Sequence, residues 1–300
     1  MPGDRQRDGS RNHGARAGRG TRPASGAVGV HSRGDRFQTW QALLTNRNKR
    51  QKLGEFLIHG VRPITLAVEH GWPLRCLLYP HGQHLSAWAE GLIRDSGVRS
   101  VPVAPELLLE LGERESAAPE LVAVGALRPD DLGRLPQGHD LLGVAFDRPT
   151  SPGNIGTLTR SADAFGASGM IITGHAADVY DPKTVRASTG SIFRLPVVRA
   201  PGVNEVLEWV ESLRGRGTPV KIVGTDETGG TSVQDCDLTG PVLLVVGNET
   251  VGMSARWREA CDEIVRIPIG GAASSLNAAS AGTLMLYEAA RQRGFPTARD

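Results

Sequence analysis

The 300-residue chain is poor in cysteine and in aromatic residues, with three Cys, three Tyr, six Phe and five Trp. Cys76, Cys236 and Cys261 lie far apart, so neither a paired CxxC zinc site nor a disulfide framework is expected. No metal is expected. No run of about eighteen apolar residues occurs, and the N-terminus lacks the short apolar core of an export signal, so a cytoplasmic protein with no membrane segment is expected. The few Tyr and Phe leave no base-stacking platform that can be located from sequence. Residues 224–231 have glycine spacing like a phosphate-binding loop but lack its lysine, and no GxGxxG follows a strand. This argues against nucleotide hydrolysis and dinucleotide chemistry.

What is present is unevenly distributed. Residues 1–36 carry eight arginines against three aspartates, a net of +5, which leaves −3 for the rest of a chain whose net charge is +2. Eight glycines and almost no large apolar residue in that segment predict a disordered arm over 1–36. Such an arm either attracts phosphate backbones or merely solubilises. From Phe37 onward, helical and strand-like spacings alternate to about residue 128: a helix with Phe37, Trp40, Leu43 and Leu44 on one face and a basic end (Asn46–Lys52), then strands near 56–58, 74–79, 98–103 and 121–125 with helices between them. This predicts a small α/β domain over 37–128. The proline-broken polar stretch 129–139 reads as a linker. A second domain over 140–294 repeats the alternation, with strands near 141–146, 169–173, 194–198, 220–224, 242–246 and 264–267. A mostly parallel sheet covered on both faces is expected.

In such sheets ligands sit beyond the carboxyl ends of the strands. Three loops there are unusual. Asp147–Gly156 enters a helix whose apolar face is Ile155, Leu158, Ala162 and Phe165, with Arg160 about 140° away from Ile155 at 100° per residue. Asn154 and Arg160 are either ligand-directed or, respectively, an N-cap and a solvated charge. Gly247-Asn248-Glu249-Thr250-Val251-Gly252 follows a purely apolar strand, with Ser254 as the expected cap of the next helix. Ile267–Asn277 enters a terminal helix of small residues (Ala278, Ala279, Ser280, Ala281, Gly282), with Ser275 or Asn277 as site residues or as caps.

Taken in order, N-x-G-x-x-x-R, G-N-E-x-x-G and I-P-x-x-G-x-x-x-S-L-N before a terminal helix resemble the three motifs of the SpoU/TrmH branch of SPOUT RNA methyltransferases, over roughly residues 141–291. The stretch Glu55–Arg62 resembles, more loosely, the L30e-like substrate-binding domain that precedes many of these catalytic domains. That resemblance extends to rRNA-modifying members, including antibiotic-resistance enzymes of the thiostrepton and avilamycin type. The resemblance implies an α/β SPOUT domain ending in a trefoil knot, an exception to the rule against threaded chains, and a homodimer with the active site near the subunit contact. It implies methylation of a ribose 2′-hydroxyl of RNA from S-adenosylmethionine, with 23S rRNA ahead of tRNA as substrate and a catalytically inactive RNA-binding protein as the other alternative. By motif position the catalytic residues would be Asn154, Arg160, Glu249, Ser275 and Asn277. The cofactor would meet Gly224, Thr225, Gly247, Asn248, Gly252, Ile267, Ile269, Ser275 and Leu276. Arg186, Ser188 and Ser191, in a stretch that also resembles the family, are candidate RNA contacts, with a capped surface helix as the alternative. Lys49, Arg50, Lys52 and Arg62 are either RNA contacts or solvated charge. Because arginine keeps its proton at neutral pH, Arg160 is expected to act as a charge-stabilising fork rather than as a base.

Overall fold

The computed structural model describes residues 29–113 and 116–295. Two sheets organise the chain. The first domain runs α1 (Asp35–Thr45), α2 (Arg47–Leu53), β1 (Glu55–His59), α3 (Val61–Glu69), β2 (Leu74–Pro80), α4 (Ala87–Asp95), β3 (Ser100–Val103), α5 (Pro105–Leu111) and β4 (Val122–Ala126). Its sheet has the order β1-β4-β2-β3, with β4 antiparallel to both neighbours and β2 parallel to β3. The second domain runs β5 (Leu142–Asp147), α6 (Pro152–Ala164), β6 (Gly169–Thr173), α7 (Pro182–Ala187), β7 (Val197–Ala200), α8 (Val203–Gly215), β8 (Lys221–Thr225), β9 (Thr231–Ser232), β10 (Val242–Val246), α9 (Ala255–Ala260), β11 (Glu263–Arg266) and α10 (Ala278–Gln292). All seven of its strands pair in parallel, in the order β7-β6-β5-β10-β8-β11-β9. Buried apolar clusters cover both faces, as continuous apolar strands require.

Local chemistry explains where elements begin and end. Asn46 splits the expected first helix in two: its side chain accepts a hydrogen bond from the Lys49 N–H at 3.0 Å and starts α2. Ser86 caps α4 and is itself held by Glu120, so residues 84–86 stay outside that helix. The strand expected over 194–198 is displaced to Val197–Ala200, because Ser191–Phe193 form a 3₁₀ turn and Pro196 has no N–H for a ladder.

The expected arm ends sooner than residue 36. Residues 1–28 lie outside the described ones, but Val30 pairs with Val103, His31 stacks edge-on against His81, Arg33 pairs with Glu110 and α1 starts at Asp35. The stretch 129–139 is not a loose tether either. It contains a 3₁₀ turn, Leu132–Arg134, buries Leu135 against the second sheet, and pairs Asp130 with Arg199 at 2.6 Å.

Nor are the two cores separate. Phe56 and Trp72 from the first domain pack among Tyr180 and Phe193 from the second, with ring centroids 4.8 Å (Phe56–Tyr180) and 5.2 Å (Trp72–Phe193) apart. Beside them Arg50, expected as an RNA contact, is buried. Its Nε donates to Asp178 Oδ2 at 2.7 Å and its Nη1 donates to the Leu43 carbonyl at 2.6 Å. A guanidinium committed to a buried carboxylate has no face left for a phosphate. Removing one partner of such a pair strands the other charge. Arg50→Ala should therefore lower the unfolding free energy by about 3–5 kcal/mol in a urea titration, and a change below about 0.5 kcal/mol would contradict this role.

Candidate active site

The carboxyl ends of the adjacent strands β5, β10, β8 and β11 bring the three unusual loops to one edge of the sheet. Three hydrogen-bonded side chains join those loops. Ser151, not Asn154, caps α6, and this leaves Asn154 in the first turn of that helix with its side chain available. Asn154 Nδ2 donates to Glu249 Oε1 at 2.9 Å, and Asn154 Oδ1 accepts from Asn277 Nδ2 at 3.2 Å. Asn277 is both cap and link, since its Oδ1 also accepts the N–H groups of Ala279 and Ser280 at the start of α10. Glu249 Oε2 accepts from the backbone and hydroxyl of Thr150, each at 3.1 Å. Burial pushes the Glu249 carboxyl up, but the bonds from Asn154 and Thr150 outweigh it and hold it below its ordinary value. It stays an acceptor at neutral pH.

Beside Glu249 lies a cavity of about 530 Å³, within the range that holds a small-molecule ligand; Asn154 and Asn277 are not in its wall. Thr225, Gly247, Asn248, Gly252, Ile267, Ile269, Ser275 and Leu276 line it, together with Glu249. Gly224 does not. It is buried behind the strand, where a Cβ would lie 2.7 Å from both Cys261 Sγ and the Met253 sulfur. Arg160 is exposed on α6, makes no hydrogen bond or ion pair among the described residues, and is not part of the cavity wall. Ser188 and Ser191 are buried, and the Ser188 hydroxyl donates to the Val185 carbonyl, so neither presents a surface for RNA. Arg186, Arg62, Lys49 and Lys52 are exposed.

Several site residues carried no signal strong enough to be singled out from sequence. Asp147, at the tip of β5, is buried and receives Arg148 at 3.0 Å, the Thr173 hydroxyl at 3.2 Å and the Ser254 N–H at 2.7 Å. Ser254 precedes α9 as expected, yet its hydroxyl makes no capping bond; its backbone is what matters. Arg148 is held in the left-handed region at φ 51°, with its carbonyl accepting from Asn248 Nδ2 at 2.7 Å. A non-glycine residue there is strained, and such strain gathers at functional loops. On the far wall Arg258 pairs with Asp226. Burial pushes Asp226 up, but bonds from Thr228 and Arg258 hold it below its ordinary value. A charged residue directly after an apolar strand is the sequence signal for Asp147; the Arg258 pairing has none.

Burial pushes all three thiols, Cys76, Cys236 and Cys261, up to about 11, so none is a thiolate nucleophile at neutral pH. Among the described residues no group of three His, Cys, Asp or Glu is arranged to hold a metal, and no helix is long and apolar enough to cross a membrane.

Comparison with known proteins identifies the family. Residues 142–287 match the SpoU rRNA Methylase family and residues 34–123 match the SpoU L30e-like domain. A 23S rRNA (uridine(2479)-2′-O)-methyltransferase of Streptomyces viridochromogenes is 60% identical over 264 residues, covering 88% of this chain and 92% of that protein. The crystal structure of the SpoU methyltransferase AviRb from Streptomyces viridochromogenes, in complex with the cofactor AdoMet, superposes with a TM-score of 0.84 at 60% identity, covering 87% of this chain and 98% of that one. An AdoMet-bound rRNA methyltransferase from Sinorhizobium meliloti gives 0.75 at 29% identity, covering 88% and 98%. The chain belongs to the SpoU methylase family, built as a SPOUT α/β domain behind an L30e-like domain.

The two glycines of the second loop differ in what a methyl group would meet. At Gly247 a Cβ would lie 2.5 Å from both Gly252 C and Met253 N, a backbone clash, whereas at Gly252 the nearest atom is 3.7 Å away and only the left-handed φ of 66° is unfavourable. Gly252→Ala should cost about 1–2 kcal/mol in denaturant titrations and Gly247→Ala clearly more. The reverse order would contradict the pinched loop.

Proposed function

We propose that this protein methylates a ribose 2′-hydroxyl of RNA with S-adenosylmethionine, and that its substrate is 23S rRNA. The observation that carries this is the cavity lined by the loops after β8, β10 and β11, with Glu249 in its wall held through Asn154 to Asn277. The 60% identity to a 23S rRNA uridine 2′-O-methyltransferase supports the choice of RNA.

S-adenosylmethionine, when bound, supplies a methyl group activated on a sulfonium. The wall residues fit it: Ile267, Ile269, Leu276 and Val251 offer apolar surface, while Thr225, Asp226, Asn248 and Ser275 offer polar groups. Holding the hydroxyl in line and dry supplies on the order of 7–11 kcal/mol, more than the 3–5 kcal/mol that a general base typically adds. The loops therefore matter more than any proton acceptor. We assign Arg160 to grip a phosphate and stabilise the developing alkoxide as the 2′-oxygen takes the methyl group, and Asn154, Glu249, Ser275 and Asn277 to fix the loops around the reacting atoms.

We read residues 37–128 as the RNA-binding domain, with Lys49 and Lys52 on its surface, and residues 140–294 as the catalytic domain. Several further readings rest on the family resemblance: a homodimer, a cytoplasmic setting, a trefoil knot through loops 247–254 and 267–277, and a role in antibiotic resistance. The homodimer draws added support from Arg160 standing outside its own chain's cavity, and from the exposed Leu284, Tyr287 and Phe295 on or beside α10.

Transfer of tritium from labelled cofactor to 23S rRNA tests the reaction. Wild type should label the RNA, and Asn277→Ala should fall by at least about 10²-fold. Arg160→Lys keeps the charge but loses the fork, so it should also be slow. No labelling by wild type would reject the activity, and full turnover by Arg160→Lys would reject the fork.

A further inference from the structure

Six consecutive residues of the loop after β10, from Gly247 to Gly252, line the cavity. This loop doubles back on itself: the Asn248 N–H donates to the Gly252 carbonyl at 3.0 Å, and the Gly252 N–H donates to the Asn248 carbonyl at 3.1 Å. The loop after β5 holds its tip, through Thr150 and Asn154 on Glu249. The same loop meets its base at Arg148. There the Arg148 carbonyl accepts from Asn248 Nδ2 at 2.7 Å, and Arg148 Nη2 donates to the Gly252 carbonyl at 3.3 Å. Arg148 itself lies outside the cavity wall. We infer that Arg148 is a positioning residue that sets the affinity for S-adenosylmethionine by clamping both stems of this loop, without touching the cofactor. This rests on the reading of the cavity as the cofactor site.

One residue can reach both stems only if its backbone and its side chain turn towards them together, and the backbone is strained to allow it. Arg148 sits at φ 51°, with its N–H donating to the Thr173 carbonyl at 3.0 Å. A residue other than glycine enters that region at a cost, which an observed site repays elsewhere. Gly174 leaves room for the folded-back stem, since a Cβ there would lie 2.9 Å from Arg148 Cγ. Asp147, 1% exposed, then fixes the guanidinium from behind, accepting from Nε at 3.2 Å and from Nη2 at 3.0 Å. The same carboxylate accepts the Thr173 hydroxyl at 3.2 Å and, just past the loop, the Ser254 N–H at 2.7 Å. A buried carboxylate with these donors is fixed in orientation, and so is the fork that it holds.

The loop needs such a clamp. None of residues 247–252 is buried, and Val251 is exposed, so the loop has little packing of its own to keep one shape. Without Arg148 it spreads over several conformations, of which one lines the cavity. Apparent affinity falls with that conformation's share of the population.

The test is calorimetric titration of the full-length protein with S-adenosylmethionine, for wild type, Arg148→Gly and Arg148→Ala, each with and without millimolar methylguanidinium. Urea unfolding and methyl transfer to 23S rRNA are measured alongside. Glycine removes the clamp and relieves the backbone, whereas alanine removes the clamp and keeps the strained φ. Both variants should bind the cofactor about 10-fold more weakly, although Arg148→Gly should unfold at a higher urea concentration than Arg148→Ala. Methylguanidinium should restore most of the affinity, because the Arg148 side chain is 35% exposed and its place can be reached from water. Unchanged affinity in both variants, or an affinity that follows the urea midpoint and not the guanidinium, would overturn the clamp. Weakened and rescued binding with no methyl transfer by wild type would support the clamp and reject the RNA-methylation reading. No binding of S-adenosylmethionine by wild type would reject both.

Discussion

The site depends on one carboxylate. Glu249 accepts from Thr150 and Asn154, and Asn154 in turn accepts from Asn277, so three loops that leave three different strands are joined in one chain of hydrogen bonds that ends on Glu249. Each loop alone is a glycine- or proline-bearing surface turn with little apolar burial to fix it. Hydrogen bonds to an ionised acceptor are roughly twice as strong as neutral ones, and burial of the Glu249 carboxyl without those donors would be unfavourable. The loops therefore order one another.

Behind the loops, the central strands β5 and β10 supply rigidity. The pairing from Val242↔Leu142 to Val246↔Phe146 is continuous, and Gly282 lets α10 come close: a Cβ there would meet Leu158 Cδ1 at 2.7 Å and Val246 Cγ2 at 3.0 Å. α10 is thus pressed onto both α6 and β10, and Asn277 at its start is delivered to Asn154. The first domain joins the same framework. The Phe56–Tyr180 and Trp72–Phe193 contacts and the Arg50–Asp178 pair make the domain junction part of the core rather than a flexible joint. On the proposed reading, an RNA held by the first domain is presented to the second in a fixed orientation.

Much of this was legible in the sequence, and what was not has a physical reason. The apolar run Val242–Val246 can only be a strand buried on both faces, and it is one. The motif loops after β5, β10 and β11 could be placed because strand ends and glycines announce them. Arg50 could not be read, because a basic heptad in an exposed-looking helix conceals the one member that turns inward to Asp178, some 128 residues away. Ser188 and Ser191 fail for the same reason, since burial at a domain junction leaves no periodic trace in six residues. Gly224 has the pattern of a ligand-facing glycine but is needed for the close approach of Cys261 and Met253. Asn154 showed the reverse: its helix position suggests a cap, and only the location of Ser151 reveals that its side chain is left for Glu249.

The proposed chemistry is delivery of a methyl group by these loops to a ribose oxygen and not to a base. Mass spectrometry of nucleosides from 23S rRNA, digested after incubation with the enzyme and deuterated-methyl cofactor, tests it most directly. The label should reside in one 2′-O-methylated nucleoside whose fragmentation leaves the base unlabelled. Label retained on the free base after fragmentation would contradict it.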